Sequence, residues 1–397
     1  MRRTRWWRGL AAVCGTPLVV VLGVAVLPYL GTTFHQFDAA LPFTGPHWFN
    51  PYANLPDTLG RWRQANFHAH SVAWGGVTDG HSTPTALLSR YRAMGYDVAA
   101  LSNYHAPMPA PPGDSTFVSA YEHGWNVRKT HRLVLGAQRV VWRDHAFGGT
   151  VHQKQQLLSS LRASGAVVAL AHPELRGGHT VSDVRLLADY DLIEVLNHFV
   201  TSDTLWDAAL TAGRLPWILA GDDSHDAEGH GETGVAWTML FTSSTHAEST
   251  YAALRTGRSY GVRGHGGRAD LALVGVTMHG DTLHLLHRGA PAQLQIVGDS
   301  GRVIATMPTV GQARVVIPPW AHYARAVLTS ETSALWLNPV VRWDGRALPV
   351  ASAPVDVRRT LAYRTLLLLC ALSVAWRLSP AQRRRRVAEP AGDAAVA

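Results

Sequence analysis

Arg61-Trp62-Arg63-Gln64-Ala65-Asn66-Phe67-His68-Ala69-His70 is the stretch whose reading decides the fold. Its first seven residues read as a strand. The two histidines that follow are spaced by one residue, so alternation turns both to the same side, where one metal ion can take both. In a chain with 21 histidines an H-x-H pair alone is a weak motif. Three later stretches repeat the same arrangement of apolar run followed by metal-ligand residues. They are Leu101-Ser102-Asn103-Tyr104-His105, Leu170-Ala171-His172-Pro173 and Ala220-Gly221-Asp222-Asp223-Ser224-His225. In an α/β barrel the strand C-termini converge on one face, so ligands distant in sequence meet there. Imidazole and carboxylate together suit divalent Zn, Mn or Fe.

Working outward, strand-like runs at 61–67, 97–101, 133–142, 166–171, 192–196, 217–220 and 235–241 alternate with helical runs at 84–94, 152–163, 181–188, 204–212 and 246–256. Thr83-Pro84 is a helix start, a capping residue before Pro at the first helical position, and Gly95 and Gly165 close their helices. Such alternation predicts a largely parallel sheet, closed as a distorted barrel. After Tyr260-Gly261 the texture becomes short alternating runs separated by Gly280-Asp281 and Asp299-Ser300-Gly301, which predicts a small all-β, sandwich-like region.

The net charge of +8 belongs to the ends. Residues 1–30 carry four arginines and no acid; residues 358–397 carry eight arginines against Glu389 and Asp393. Together they contribute +10, leaving −2 for the middle. A slightly acidic body does not fit nucleic-acid binding. Gly9 to Leu30 is uncharged, long enough to cross a bilayer, and follows Arg2, Arg3, Arg5 and Arg8, so the N-terminus is expected to stay in the cytoplasm. Thr365 to Trp376 is a shorter apolar run that becomes a span if Arg364 and Arg377 snorkel, with Arg383 to Arg386 cytoplasmic. The expected organisation is therefore a cytoplasmic 1–8, an anchor at 9–30, a linker at 31–60, a metal-dependent barrel at 61–262, a β-rich domain at 263–350, a second transmembrane helix at 360–378 and a basic cytoplasmic tail at 379–397. That places the middle on the outer side of a bacterial-type plasma membrane. Cys14 and Cys370 both fall in the apolar segments, so the middle has no disulfide.

These motifs resemble the polymerase-and-histidinol-phosphatase (PHP) superfamily of metal-dependent phosphoesterases. The family's H-x-H-[ST], Asp-Gly and helix-opening Pro are matched by His68-Ala69-His70-Ser71, Asp79-Gly80 and Pro84. Its T-D-H corresponds to Asn103-Tyr104-His105, its H-P to His172-Pro173, and its G-S-D-A-H to Gly221-Asp222-Asp223-Ser224-His225. Ile193-Glu194-Val195-Leu196-Asn197 looks like its strand carrying Glu and Asn. The resemblance spans about residues 61–262. It implies a distorted (β/α)7 barrel with metals held by His68, His70, Asp79, His105, His145, His172, Asp223 and His225. The sequence departs from the family at Tyr104, in place of an acid, and at Gln138, where the bridging Glu is usual. Glu122 is an alternative bridge.

The expected activity is hydrolysis of a phosphate ester by a metal-activated water, with one to three ions, Asp222 as a helper and Arg176 as a phosphate contact. Substrates compatible with this reading are a phosphorylated small molecule, a lipid head group or a glycan. One rival is an amidohydrolase-like enzyme; its better-known binuclear members use a carboxylated lysine, and the only lysines are Lys129 and Lys154. The other is a non-catalytic metal- or ligand-binding barrel, favoured by Gln138 and Tyr104.

Overall fold

The computed structural model describes residues 21, 23–53, 55, 60–78, 80–228 and 231–379. They fall into two units, Phe37–Ala353 and a smaller one from the described parts of Met1–Gln36 and Pro354–Ala397.

In the larger unit the chain runs β1 (His47–Phe49), β2 (Arg61–Asn66), α1 (Pro84–Ala93), β3 (Val98–Ala99), β4 (Ala120–His123), β5 (Arg132–Leu135), α2 (Val151–Arg162), β6 (Val167–Leu170), α3 (Val181–Leu186), β7 (Leu192–Leu196), α4 (Asp203–Thr211), β8 (Trp217–Ala220), β9 (Ala236–Thr242), α5 (Ala247–Arg255) and β10 (Ser259–Arg263). Helix starts follow from local chemistry. Thr83 caps α1 by accepting from the Ala86 amide, and Thr150 with Gln153 forms a capping box on α2.

Strands β4-β5-β6-β7-β8 form one sheet in that order. Every residue in these five strands is buried, as expected when a sheet is covered on both faces. β6, β7 and β8 run parallel, whereas β5 runs antiparallel to both β4 and β6. Arg132 therefore pairs with His123 of β4 and Leu170 of β6, which puts the start of β5 beside the ends of its neighbours. The strand expected over 133–142 stops at Leu135, where Gly136 turns at φ 66. The chain then returns beside β4: the Val141 amide donates to Tyr121 Oη at 3.1 Å, and His123 Nε2 donates to Arg143 O at 2.7 Å.

β2 pairs parallel with β3 and antiparallel with β9. Single parallel bridges, Ala69–Ser224 and Tyr104–Glu122, link the extensions of β2 and β3 to the segment after β8 and to β4.

After Arg263 come β11 (Leu271–His279), β12 (Thr282–Gly289), β13 (Ala292–Gly298), β14 (Arg302–Thr309), β15 (Gln312–Val316), β16 (Tyr323–Thr329), β17 (Ala334–Leu337) and β18 (Val340–Trp343). They make two sheets. β11-β12-β15 stands alone, while β16, β17 and β18 join β10, β9 and β2 in one continuous sheet. An apolar core unites the two sheets, with Leu273, Val276 and Leu285 in one cluster with Leu294, Ile296 and Leu328. The region is also pinned to α4 by a buried ion pair: Arg325 donates Nε and Nη2 to the two oxygens of Asp207, both at 2.7 Å.

In the smaller unit residues 23–30 are helical, and α6 (Val357–Leu378) is long and apolar enough, by length and composition, to cross a membrane. Asp356 caps α6, accepting from the Arg359 amide at 2.9 Å. The two chain ends meet here: the Phe34 amide donates to Thr360 Oγ1 at 2.9 Å, and the Phe34 ring meets Tyr363 edge-on at 5.5 Å. Most of the apolar run 9–30 and the tail beyond Ser379 lie outside the described residues.

Candidate metal centre

β2 ends on Asn66, and the next residues carry His68 and His70 to the centre of the larger unit, where they are 0% and 1% exposed. Two further residues meet them there: Asp223, just after β8, and Glu122, inside β4. His68 Nε2 lies 3.1 Å from Asp223 Oδ1 and 3.5 Å from Glu122 Oε2. His70 Nε2 lies 3.2 Å and 3.1 Å from the same two oxygens. All four atoms are buried, and none has a hydrogen-bond partner. Buried polar atoms are ordinarily paired, so four that converge unpaired form a cage suited to a cation.

Glu122 also faces a second group. Its Oε1 accepts from His131 Nδ1 at 2.6 Å and stands 3.1 Å from His172 Nε2, and these three could hold a second ion. Glu122 thus takes the bridging place between the two groups, each carboxylate oxygen facing one of them. Around them is an outer layer. Glu194 Oε1 accepts from His68 Nδ1 at 2.8 Å, which leaves the proton on Nδ1 and turns Nε2 into the cage. The other Glu194 oxygen accepts from the His172 amide at 2.8 Å and from Asn197 Nδ2 at 3.1 Å. Asn197 also reaches Asp223 Oδ2 at 3.3 Å.

The electrostatics point the same way. Burial opposes charge on His68 and His70, yet the nearby carboxylates outweigh it. His68 is held well above its ordinary value by Asp223, Glu194 and Glu122, and His70 is pushed up to about 9 by Asp223 and Glu122. Burial likewise pushes Glu122 and Asp223 up, but the neighbouring imidazoles outweigh it and hold both well below the usual carboxylate range. Without an ion, imidazole protons balance the buried carboxylates. A divalent cation supplies that positive charge in their place. The donor set therefore fits a metal.

No protein-family model matches the chain, and no curated protein matches it. Among solved structures it is similar to a two-domain protein from Bacteroides vulgatus containing a predicted PHP-like metal-dependent phosphoesterase. The two are 12% identical over 81% of this chain and 100% of that one, with a TM-score of 0.42. At that identity and TM-score no residue role carries over.

Of the residues singled out in the sequence, His68, His70, Asp223 and His172 come together, with Glu122 between them. Others stand apart. His105 uses both ring nitrogens on backbone: Nδ1 donates to Val141 O at 3.1 Å, and Nε2 accepts from the Gly124 amide at 3.1 Å. Its burial lowers its pKa, as suits a neutral ring. His225 stacks on His70, with centroids 4.7 Å apart, and its amide donates to Glu232. His145 is buried behind Asp144, outside both ligand groups. Asp79 lies outside the described residues. Asp222 faces away from the cage: Oδ1 accepts from Tyr91 Oη at 2.6 Å and Asn66 Nδ2 at 3.0 Å, and Oδ2 from the Gly234 amide at 2.7 Å. Burial pushes its pKa up to about 7 despite those bonds.

Gln138 is exposed and its amide pairs with Ser164 O, past the end of β5 opposite the cage. The reversal of β5 explains this, since it exchanges the strand end carrying Gln138 for the one carrying His131. The Tyr104 ring stacks on His70 at 4.6 Å. Arg176 is exposed on the turn Leu175–Gly177, and among the described residues no hydrogen bond or ion pair ties it to the cage. Lys154 donates to Asp183 Oδ2 at 2.7 Å and to Gly178 O, so it is engaged as a structural cation.

His131 is the ligand that sequence reasoning missed. Its only signal was its position directly before the apolar run from Leu133, which reads as the start of a strand rather than its end. His105, His172 and Asp223 all sit at positive φ (50, 27 and 51) in segments that follow strands. Backbone of this kind concentrates at functional sites.

Proposed function

We propose that the protein is a metal-dependent phosphoesterase held at a membrane by its ends, with the Phe37–Ala353 unit outside the cytoplasm. The observation that carries this reading is Glu122, whose two carboxylate oxygens face two groups of buried ligand residues; in one of them, with His68, His70 and Asp223, four converging atoms lack hydrogen-bond partners. Paired ions sharing a carboxylate suit in-line displacement at phosphorus, since such a pair clamps the attacking and leaving oxygens and generates a nucleophile near neutral pH. His68, His70, Glu122 and Asp223 would hold one ion, and Glu122, His131 and His172 the other. The remaining residues orient these ligands. Glu194 and Asn197 fix His68 and Asp223, while Tyr104 and His225 flank His70 and limit water access to it. We read β2 to β8, joined through the two single bridges, as a distorted seven-stranded barrel with one strand reversed. The PHP-like motifs of the sequence agree with this. We give no role in the reaction to Asp222, whose carboxylate accepts from Tyr91, Asn66 and the Gly234 amide, or to the exposed Arg176.

The test uses the full chain in detergent. Metal content is measured beside hydrolysis of 4-nitrophenyl phosphate and bis(4-nitrophenyl) phosphate, with Glu122→Gln and a His68→Ala/His70→Ala double variant for comparison. Bound ions and turnover that both fall in the variants are expected. A metal-free wild type, or equal rates in all three proteins, would falsify the reading. Protease access to the larger unit in intact spheroplasts checks its side of the membrane.

A further inference from the structure

Seven tryptophan and phenylalanine side chains are exposed among the described residues, and five of them stand on the loops that follow β2, β4, β5 and β7. These are Trp74, Trp125, Trp142, Phe147 and Phe199, from 42% to 64% exposed. Single exposed apolar residues are common on any surface, but a contiguous group marks a binding face.

The rim is built onto the site itself. Trp74 Nε1 donates to Tyr104 O at 2.8 Å, and the Tyr104 ring stacks on His70. Trp142 stacks on His105 at 5.3 Å and meets Trp74 edge-on at 5.8 Å. On the other flank Phe199 lies 6.3 Å from His225, which in turn stacks on His70. Trp125 and Phe147 extend the rim on two loops joined by the Val127 amide and Ala146 O at 2.9 Å.

Resting on the phosphoesterase reading, we infer that the substrate is an amphiphile: a phosphate ester whose long aliphatic chain lies on the Trp74–Trp142–Phe199 rim while its phosphate enters the cage. Three observations favour an aliphatic chain over a planar ring. Trp74 and Trp142 stand at 72° to each other, which leaves no parallel slot to clamp a flat base. Val72 and Val77, 41% and 87% exposed, add aliphatic surface to the same loop as Trp74. The chain also carries the span-length helix α6, which would keep it among lipids. Tryptophan is suited to such a place, since its ring is apolar and its N–H is polar.

The experiment compares butylphosphonate and octylphosphonate, which cannot be hydrolysed at an ester bond, as ligands of the Mn-loaded full chain in nanodiscs. Each buried methylene strengthens binding severalfold, so octylphosphonate is expected to bind at least about tenfold tighter. In a Trp74→Ala/Trp142→Ala variant that ratio should shrink toward one, with metal content as the control for folding. Phe199→Ser is the second variant, should the first not fold. Equal affinities in the wild type overturn the inference, as does a ratio that folded variants leave unchanged, since selectivity would then come from the bilayer. Chain-length-dependent binding without turnover of any ester defeats the hydrolase reading alone. Turnover of 4-nitrophenyl phosphate with equal phosphonate affinities defeats the amphiphile alone.

Discussion

At the scale of single residues, the cage depends on which atoms are left unpaired as much as on which residues are present. His68 offers Nε2 because Glu194 occupies Nδ1, whereas His105 offers nothing because backbone groups occupy both nitrogens. Two histidines that look alike in sequence are separated by their hydrogen bonds. Partners of this kind tune metal affinity. Glu194→Gln is accordingly expected to weaken metal binding by about 10- to 100-fold, while leaving the fold in place. Titration with Mn, followed by competition with a chelating dye, measures this; an affinity within twofold of wild type would refute the orienting role. By contrast, Gln138→Ala at an exposed position should change neither affinity nor stability beyond about 0.5 kcal/mol.

Among elements, the reversed strand β5 matters most. It is joined to β4 by the loop 124–131, in which Gly124 has φ +139, and a Cβ there would come within 2.4 Å of His131 Cδ2. Glycine tolerates that backbone at no steric cost. Gly124→Ala should displace His131 and cost about 1–3 kcal/mol in stability. Metal content per folded protein should fall as well, and full metal content in the variant would show that His131 is dispensable. Outside the cage, the Asp207–Arg325 pair joins α4 to β16 in a buried setting. Removing one partner of a buried pair leaves the other charge uncompensated, at about 3–5 kcal/mol. Because Asp203 also lies 2.9 Å from Arg325, the lower end is expected for Asp207→Ala. Chemical denaturation reads the loss, and metal content of the folded fraction should not change.

For the whole molecule, metal and stability are linked. The cage gathers ligands from β4, from the segments after β2, β6 and β8, and from the start of β5, so an ion held there binds only the folded chain. At a free concentration one hundred times its Kd, an ion adds about 2.7 kcal/mol. Thermal melts of the full chain should therefore rise with Mn and fall with a chelator. The His68→Ala/His70→Ala double variant should show smaller shifts; a variant that responds as the wild type does would place the binding elsewhere.

Much of this was legible in the sequence because the signals are local. Strands Val167–Leu170 and Trp217–Ala220 are continuous apolar runs, Leu192–Leu196 is one broken only by Glu194, the helix starts carry their capping residues, and His172 and Asp223 follow closely on apolar strands. What stayed hidden was not local. β4 was invisible because Ala120-Tyr121-Glu122-His123 carries two ionisable residues in four, and only burial within the cage makes a strand of it. The direction of β5 was hidden too, since a run of apolar residues reads the same in either direction. Pairing between strands decides that direction, and with it the choice of His131 over Gln138 and of Glu122 as the bridge. Sequence alone determined the chemistry on offer, histidine and carboxylate at strand ends. Only the tertiary structure decided which nitrogens and oxygens remain unpaired and face one another, because that choice depends on partners far away along the chain.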